Sequence, residues 1–197
     1  MKTLLKKLAG LVLGDYAAYH VFSCADARAP ARDLTGFSFA IIDQAQVWAS
    51  ADALIRDQAG YHGCDAYAYA CLADAQIVGL CYFWFGCRYR ERNFWPLRDR
   101  EAKLVQIVTV PAMRGRAIAP HLIAFASADM FARGFERLYA RVWHSNTRSS
   151  RAFRRAGWER VATVIEMRPL ARRHLFRMTL KRHRGHVGSE HALDRRT

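Results

Sequence analysis

Residues 114–119, Arg-Gly-Arg-Ala-Ile-Ala, hold the clearest chemistry in this chain. They lie between two regular stretches. Leu104, Val105, Ile107, Val108 and Val110 form a near-continuous apolar run, the pattern of a strand covered on both faces. Pro111 stops it, because proline has no N–H to give to a ladder. A helical pattern opens at Ile118, with Leu122, Ile123, Ala126 and Met130 on one face. A helix N-terminus carries unpaired amide N–H groups and the positive end of the helix dipole. Arg114 and Arg116 add charge, and Gly115 leaves room for close backbone approach. The stretch therefore suits a phosphate or pyrophosphate. Strand, loop and helix with one glycine is also the form of an ordinary connection, so the rest of the chain must decide.

The remaining elements can be read in order. Asp15–Cys24 reads as a turn into a short strand, Ala25–Gly36 as a loop or linker, and Phe37–Ile42 as a strand. Ala49–Gly60 has helical character, with Ser50 as the expected N-cap. Ala66–Ala73 alternates Tyr67, Tyr69 and Cys71 with alanine, and Ile77–Gly86 is strongly apolar, so the two predict a hairpin turning at Asp74–Gln76. Arg88–Arg100 reads as a long loop, a common place for function. Gly134 closes the helix that opens at Ile118. Leu138–Trp143 is a strand, and Ser145 or Asn146 caps a helix reaching about Ala156, ended by Gly157. Trp158–Met167 and His174–Leu180 are the last strands, and 181–197 is a basic tail expected to be frayed.

Composition narrows the class. The chain has 197 residues, of which 52% are hydrophobic, enough for one domain with a sizeable core. The net charge is +14, which favours anionic partners. Nucleic acid is not expected among them, since the arginines scatter and no recognition motif is present. The five cysteines are odd in number and form no CxxC pair, so neither a disulfide framework nor a metal site is expected. Free thiols fit a reducing cytoplasm. Residues 1–14 place Leu4, Leu5, Leu8, Leu11 and Val12 at helical spacing opposite lysines. That pattern suits either a helix packed on the domain or peripheral contact with an anionic membrane.

With these elements in place, the chain resembles the GNAT superfamily of acyl-CoA-dependent N-acyltransferases. The resemblance covers residues 37–180, leaving 1–36 as an N-terminal helix and lead-in and 181–197 as the tail. It rests on two motifs in order. The first is the loop from Arg114 to Ala119 after Val110-Pro111. The second is Asn146, Phe153 and Gly157-Trp158. The fold this implies is α/β, a mixed and mostly antiparallel sheet flanked by helices and splayed at its central strand pair. The implied co-substrate is acetyl-CoA, with no metal. Arg114, Gly115, Arg116, Ala117, Ile118 and Ala119 would hold the pyrophosphate. The backbone of Ile107, Val108 and Thr109, with Val110 close by, would bind the pantetheine arm. Asn146 would also contact that arm, unless it is a plain helix cap. Phe153 stands at the aromatic position of the helix that follows. Ala117 replaces the family's usual glycine, so it is expected to take an ordinary helical φ.

The resemblance also shows departures. The usual tyrosine acid is Phe153 here, and a glutamate found in some members is Arg141. His144 is then the best acid/base candidate, its reference pKa lying near neutrality, though a surface histidine is the plain alternative. Glu101 could activate water or could be a solvated charge. The implied function is N-acetylation of an amine on a small molecule, amino sugar or protein. The lead-in LGDYAAYHVF is similar to acyltransferases of bacterial surface-polysaccharide synthesis, which adds glycan amines to the candidates. A catalytically weak acyl-CoA-binding module is the alternative. The oligomeric state stays open.

Overall fold

The computed structural model describes residues 16–26, 34–167 and 176–181. The expectations for residues 1–14, for most of the loop before Gly36 and for the tail after Lys181 lie outside them. In chain order the regular elements are β1 (Tyr16–Cys24), β2 (Ser38–Ile42), α1 (Gln44–Trp48), α2 (Ala53–Arg56), β3 (Ala66–Ala73), β4 (Gln76–Trp84), β5 (Glu101–Thr109), α3 (Ile118–Ala132), β6 (Arg137–Trp143), α4 (Thr147–Arg155), β7 (Glu159–Met167) and β8 (Phe176–Lys181).

The hairpin of β3 and β4 forms where alternation predicts it. Its two turn residues, Asp74 and Ala75, both have positive φ (46° and 62°), as the tightest hairpin turns require. β4 is buried along almost its whole length, which explains its unbroken apolar run. The strands form one sheet of eight, in the order β2-β3-β4-β5-β6-β1-β7-β8. Every neighbouring pair is antiparallel except β5 and β6. That parallel pair needs a crossover, and α3 supplies it.

Two elements differ from expectation. β1 is a nine-residue strand hydrogen-bonded between β6 and β7, so the sheet takes in residues ahead of position 37. Tyr19 and Val21 bury on one face and Phe22 and Cys24 on the other. The strand itself is the one read at Asp15–Cys24, and what differs is that it belongs to the central sheet. The single helix expected over Ala49–Gly60 is instead the short α2, capped at Asp52 and not at Ser50, followed by a 3-10 turn at Ala59–Tyr61, and α1 lies ahead of that span. The Asp43 carboxylate accepts from the Gln46 amide at 2.8 Å and caps α1, and the Asp52 carboxylate accepts from Leu54 at 2.8 Å and caps α2. Aspartate takes helix-starting amides well enough to restart the chain twice.

Both faces of the sheet are covered. On one, α3 and α4 pack Leu122, Ile123 and Phe153 against Phe22, Phe83, Leu104 and Trp158. On the other, Val47, Ile55 and Ala59 lie on Ala70, Leu80 and Tyr82. Beside them Phe94, Trp95 and Leu97 cover Tyr19, Val21 and Tyr139. The loop read at Arg88–Arg100 is thus partly core. Phe94 is 5% exposed and roofs the sheet where β5 meets β6.

Candidate active site

The parallel pair is short. β5 and β6 are in register only from Glu101 opposite Arg137 to Leu104 opposite Ala140. Beyond that point β5 stays with β4 as far as Thr109, while β6 continues along β1 to Trp143. A bulge accompanies the parting. Tyr82 faces Gln106 and Phe83 faces Leu104, so Val105 has no partner on β4. The gap opens into a cavity of about 190 Å³ whose lining includes Phe94, Gln106, Ile107, Arg141, Trp143, Asn146 and Phe153.

Ladder parity decides which backbone groups face that gap. The Val110 amide donates to the Val78 carbonyl at 3.0 Å, so in an antiparallel ladder Val108 and Gln106 also bond toward β4. Ile107 and Thr109 then turn their N–H and C=O groups to the open side. The Thr109 carbonyl does take a bond from Arg114 Nε at 3.3 Å. Of the four residues expected to bind a ligand arm through their backbone, two turn it to the gap. Val108 and the Val110 N–H are committed to β4, because backbone groups alternate in direction along a strand, and the Val110 carbonyl takes the Met113 amide at 3.0 Å.

The loop that follows corrects one expectation. Ala117 sits in the left-handed region, φ 60° and ψ 18°, not in an ordinary helical conformation. Alanine stands where the family usually has glycine, and it holds a left-handed conformation that glycine would adopt without strain. Gly115 also has positive φ (86°), and nothing lies within 4 Å of where its Cβ would stand. Arg114, Gly115 and Arg116 are exposed. α3 runs 15 residues and has no side-chain cap at its start. Its first amides thus remain available beside two arginines. An uncapped helix start, a left-handed approach and open space at Gly115 together fit a pyrophosphate.

Asn146 lines the cavity and also caps α4, its Oδ1 accepting from the Ser149 amide at 3.0 Å. The two roles can be separated. Asn146→Ala should cost about 1 kcal/mol of stability through the lost cap. Asn146→Asp should keep the cap. If Asn146 also holds a CoA arm, Asn146→Ala lowers acetyl-CoA affinity about tenfold by calorimetry. A lower melting temperature with unchanged affinity would leave only the cap.

Phe153 is 2% exposed, stacked on Phe22 at 5.5 Å and edge-on to Trp158 at 5.1 Å. It walls the cavity from the core and offers no proton. Neither acid/base candidate is brought to the gap. The His144 ring and amide both bond the Ala18 carbonyl on β1, at 3.1 and 3.0 Å, on the side of β6 away from β5. Glu101 lies at the closed end of the strand pair. Its carboxylate takes the Arg98 amide at 2.8 Å and the Tyr139 hydroxyl at 3.4 Å.

Other polar groups lie near the gap. Gln106 Nε2 donates to Gln58 Oε1 at 2.6 Å. The Tyr82 hydroxyl, opposite Gln106, is buried with no partner. Lys103 is fully buried, its ammonium 4.6 Å and 4.5 Å from the Tyr89 and Phe94 rings. Burial, then the charges of Arg177 and Arg141, pull that ammonium down to about 8. A lysine at the edge of an apolar run could have flagged this, but only the fold closes rings over it. Among the described residues no group of three or more histidine, cysteine, aspartate or glutamate side chains could hold a metal. No helix among them is long and apolar enough to cross a membrane.

The model of the GNAT acetyltransferase family matches residues 32–158, well over half of the chain. This protein is a member of the GNAT family. No curated protein matches it. Solved GNAT structures share the fold at low identity. A GNAT-family protein from Novosphingobium aromaticivorans is 20% identical with a TM-score of 0.53, over 79% of this chain and 65% of its own. A GCN5-related N-acetyltransferase from Sphaerobacter thermophilus is 13% identical with a TM-score of 0.54, over 92% and 57%. A GNAT acetyltransferase from Colwellia psychrerythraea is 12% identical with a TM-score of 0.56, over 83% and 60%. The chain thus spans about three-fifths of the length of these relatives. The GNAT features named above, the parted strands and the loop before α3, both fall inside the matched residues.

Proposed function

We propose that this GNAT protein transfers an acetyl group from acetyl-CoA to an amine, on a small molecule, amino sugar or protein. The observation that carries the reading is the parting of β5 from β6 directly ahead of the Arg114–Ala119 loop. It sets backbone groups of Ile107 and Thr109 in line with an anion-binding helix start. Those two residues would bind the amide groups of the CoA arm. The Ile107 N–H, beside the bulge, would polarise the thioester carbonyl as an oxyanion donor does. The other side of the gap, at Gln106, Phe94 and Arg141, would receive the amine. The amine nitrogen forms a bond to the acetyl carbon, the carbon–sulfur bond breaks, and the amine loses a proton. With a thiol pKa of about 8.5, CoA can leave as thiolate without an acid.

Among the described residues, none that lines the cavity is a carboxylate or histidine. The amine proton would therefore pass to water. The expected consequence is a rate that tracks the free-amine fraction. kcat/KM should rise about tenfold per pH unit below the acceptor's own pKa, with no break near 7. His144→Ala should leave that profile unchanged. A break near 7 that disappears in His144→Ala would return His144 to acid/base duty.

A weak or inactive acyl-CoA-binding module is the second reading, favoured by the buried Phe153. Calorimetry with acetyl-CoA tests the cofactor assignment, and no binding at millimolar ligand would sink it. Release of free thiol with amines separates enzyme from module.

A further inference from the structure

Arg141 is the most unusual residue at the cavity. It lines the gap, it is exposed, and its guanidinium lies between three rings. The carbon at its centre is 5.4 Å from the Tyr19 ring, 5.5 Å from Phe94 and 5.1 Å from Trp143. Aromatic contacts hold such a planar group in place and leave its N–H edge free. No described carboxylate pairs with it. Glu166 takes the Tyr19 hydroxyl at 2.9 Å and sits 3.5 Å from Arg177. Arg177 also donates to the Phe94 carbonyl and the Tyr19 hydroxyl. Behind Phe94 lies the buried Lys103. Lys103 and Arg141 thus flank the Phe94 ring and Arg177 holds its carbonyl, and the described carboxylate beside them, Glu166, is already paired.

That field repels a simple ammonium ion. It attracts an amine that also carries an acid. A planar, pre-positioned guanidinium binds carboxylate or phosphate through two parallel N–H bonds. Arg141 is also far from the loop that suits pyrophosphate. Val110 lies five positions beyond Val105, which is beside the parting, about 17 Å at 3.3 Å per residue. One ligand could use both ends only by running the length of the gap.

We propose that the acceptor is an amine bearing a carboxylate or phosphate, and that Arg141 binds this acid while the amine reaches the acyl position. The inference rests on the acyl-transfer reading for the amine, but the anion site can be measured separately. Two matched pairs serve as probes: glucosamine 6-phosphate against glucosamine, and phenylalanine against phenethylamine. Each is titrated calorimetrically into the CoA-loaded protein and tested as acceptor by thiol release. In at least one pair the acidic member should bind ten or more times tighter than its neutral partner. The pair that discriminates identifies the acid. Arg141→Gln should bring that ratio close to one, mainly through KM, and leave CoA affinity within threefold. Arg141→Lys should restore part of the ratio, as a charge without the fork. Because Arg141 is exposed, melting curves should match wild type.

Equal binding of acidic and neutral members in both pairs overturns the proposal. So does an Arg141→Gln variant whose ratio is unchanged, or whose main loss is in CoA affinity. Failure of CoA itself to bind would instead sink the acyl-transfer reading, and titration of the unloaded protein would still report on the anion site.

Discussion

Ala117→Val should weaken acetyl-CoA binding at least tenfold and lower the melting temperature. Ala117 holds φ 60° immediately before α3. The left-handed region costs an ordinary L-residue about 1–2 kcal/mol, and a β-branched side chain fits there worst. Valine would push residue 117 out of that conformation. Arg116 and the first α3 amides would then point elsewhere, and those are the groups assigned to the pyrophosphate. The stability loss, about 1–2 kcal/mol, corresponds to roughly 2–4 °C per kcal/mol for a domain of this size. Ala117→Gly is the matching control. It removes the strain, so it should raise stability by about 1 kcal/mol and hold or improve affinity. Calorimetry and thermal melts on the two variants give the test. Wild-type affinity in the valine variant, with an intact fold, would remove the loop from the binding site.

Lys103→Met should stabilise the protein at pH 7 by about 1–3 kcal/mol, since exchanging a buried ion for a well-packed apolar residue is often favourable. The Lys103 ammonium is fully buried, and among the described residues its polar partner is Asn93 Oδ1, at 3.5 Å. Two aromatic rings offset only part of the lost hydration. Burial and two nearby arginines pull the group down to about 8, while an unfolded lysine titrates near 10.4. Between those values the unfolded chain binds more protons than the folded one, so wild-type stability rises with pH across the window. Below about 8 the burden is fully present. Melting curves from pH 7 to 10 should show the variant ahead at pH 7 and the gap narrowing toward pH 10. A variant that melts lower at pH 7, or a gap constant with pH, would show that the ammonium contributes favourably to the fold. Chains tend to retain such a burden where activity needs it, and Lys103 shares its face with Arg141.

The parts of this protein legible in its sequence are those set by local patterning. The apolar run into Pro111, the glycine beside two arginines, the helix beyond Ile118 and the Asn146 cap need only neighbouring residues to specify them. The hairpin of β3 and β4 follows from period-two alternation for the same reason. The helix expected over Ala49–Gly60 is shorter because Asp52 starts it late and it ends after Arg56, ahead of a 3-10 turn at Ala59–Tyr61. The strand read at Asp15–Cys24 forms as β1, but its place between β6 and β7 is set by pairing with residues far along the chain.

The site divides in the same way. By itself the sequence determined a basic strand–loop–helix unit suited to phosphate, and a fold class of mixed sheet and helices. The tertiary structure decided the rest. Which β5 amides are free depends on the ladder with β4 and on where β6 lets go. The αL shape of Ala117 depends on how the loop joins α3, since alanine has no preference for it. His144 and Glu101, plausible by type, are held away from the gap by bonds to distant residues. Arg141, apparently only a missing glutamate in sequence, becomes a guanidinium clamped by Tyr19, Phe94 and Trp143. Those three rings are brought together from β1, the Arg88–Arg100 loop and β6, and their long separation along the chain is why only folding could reveal the site.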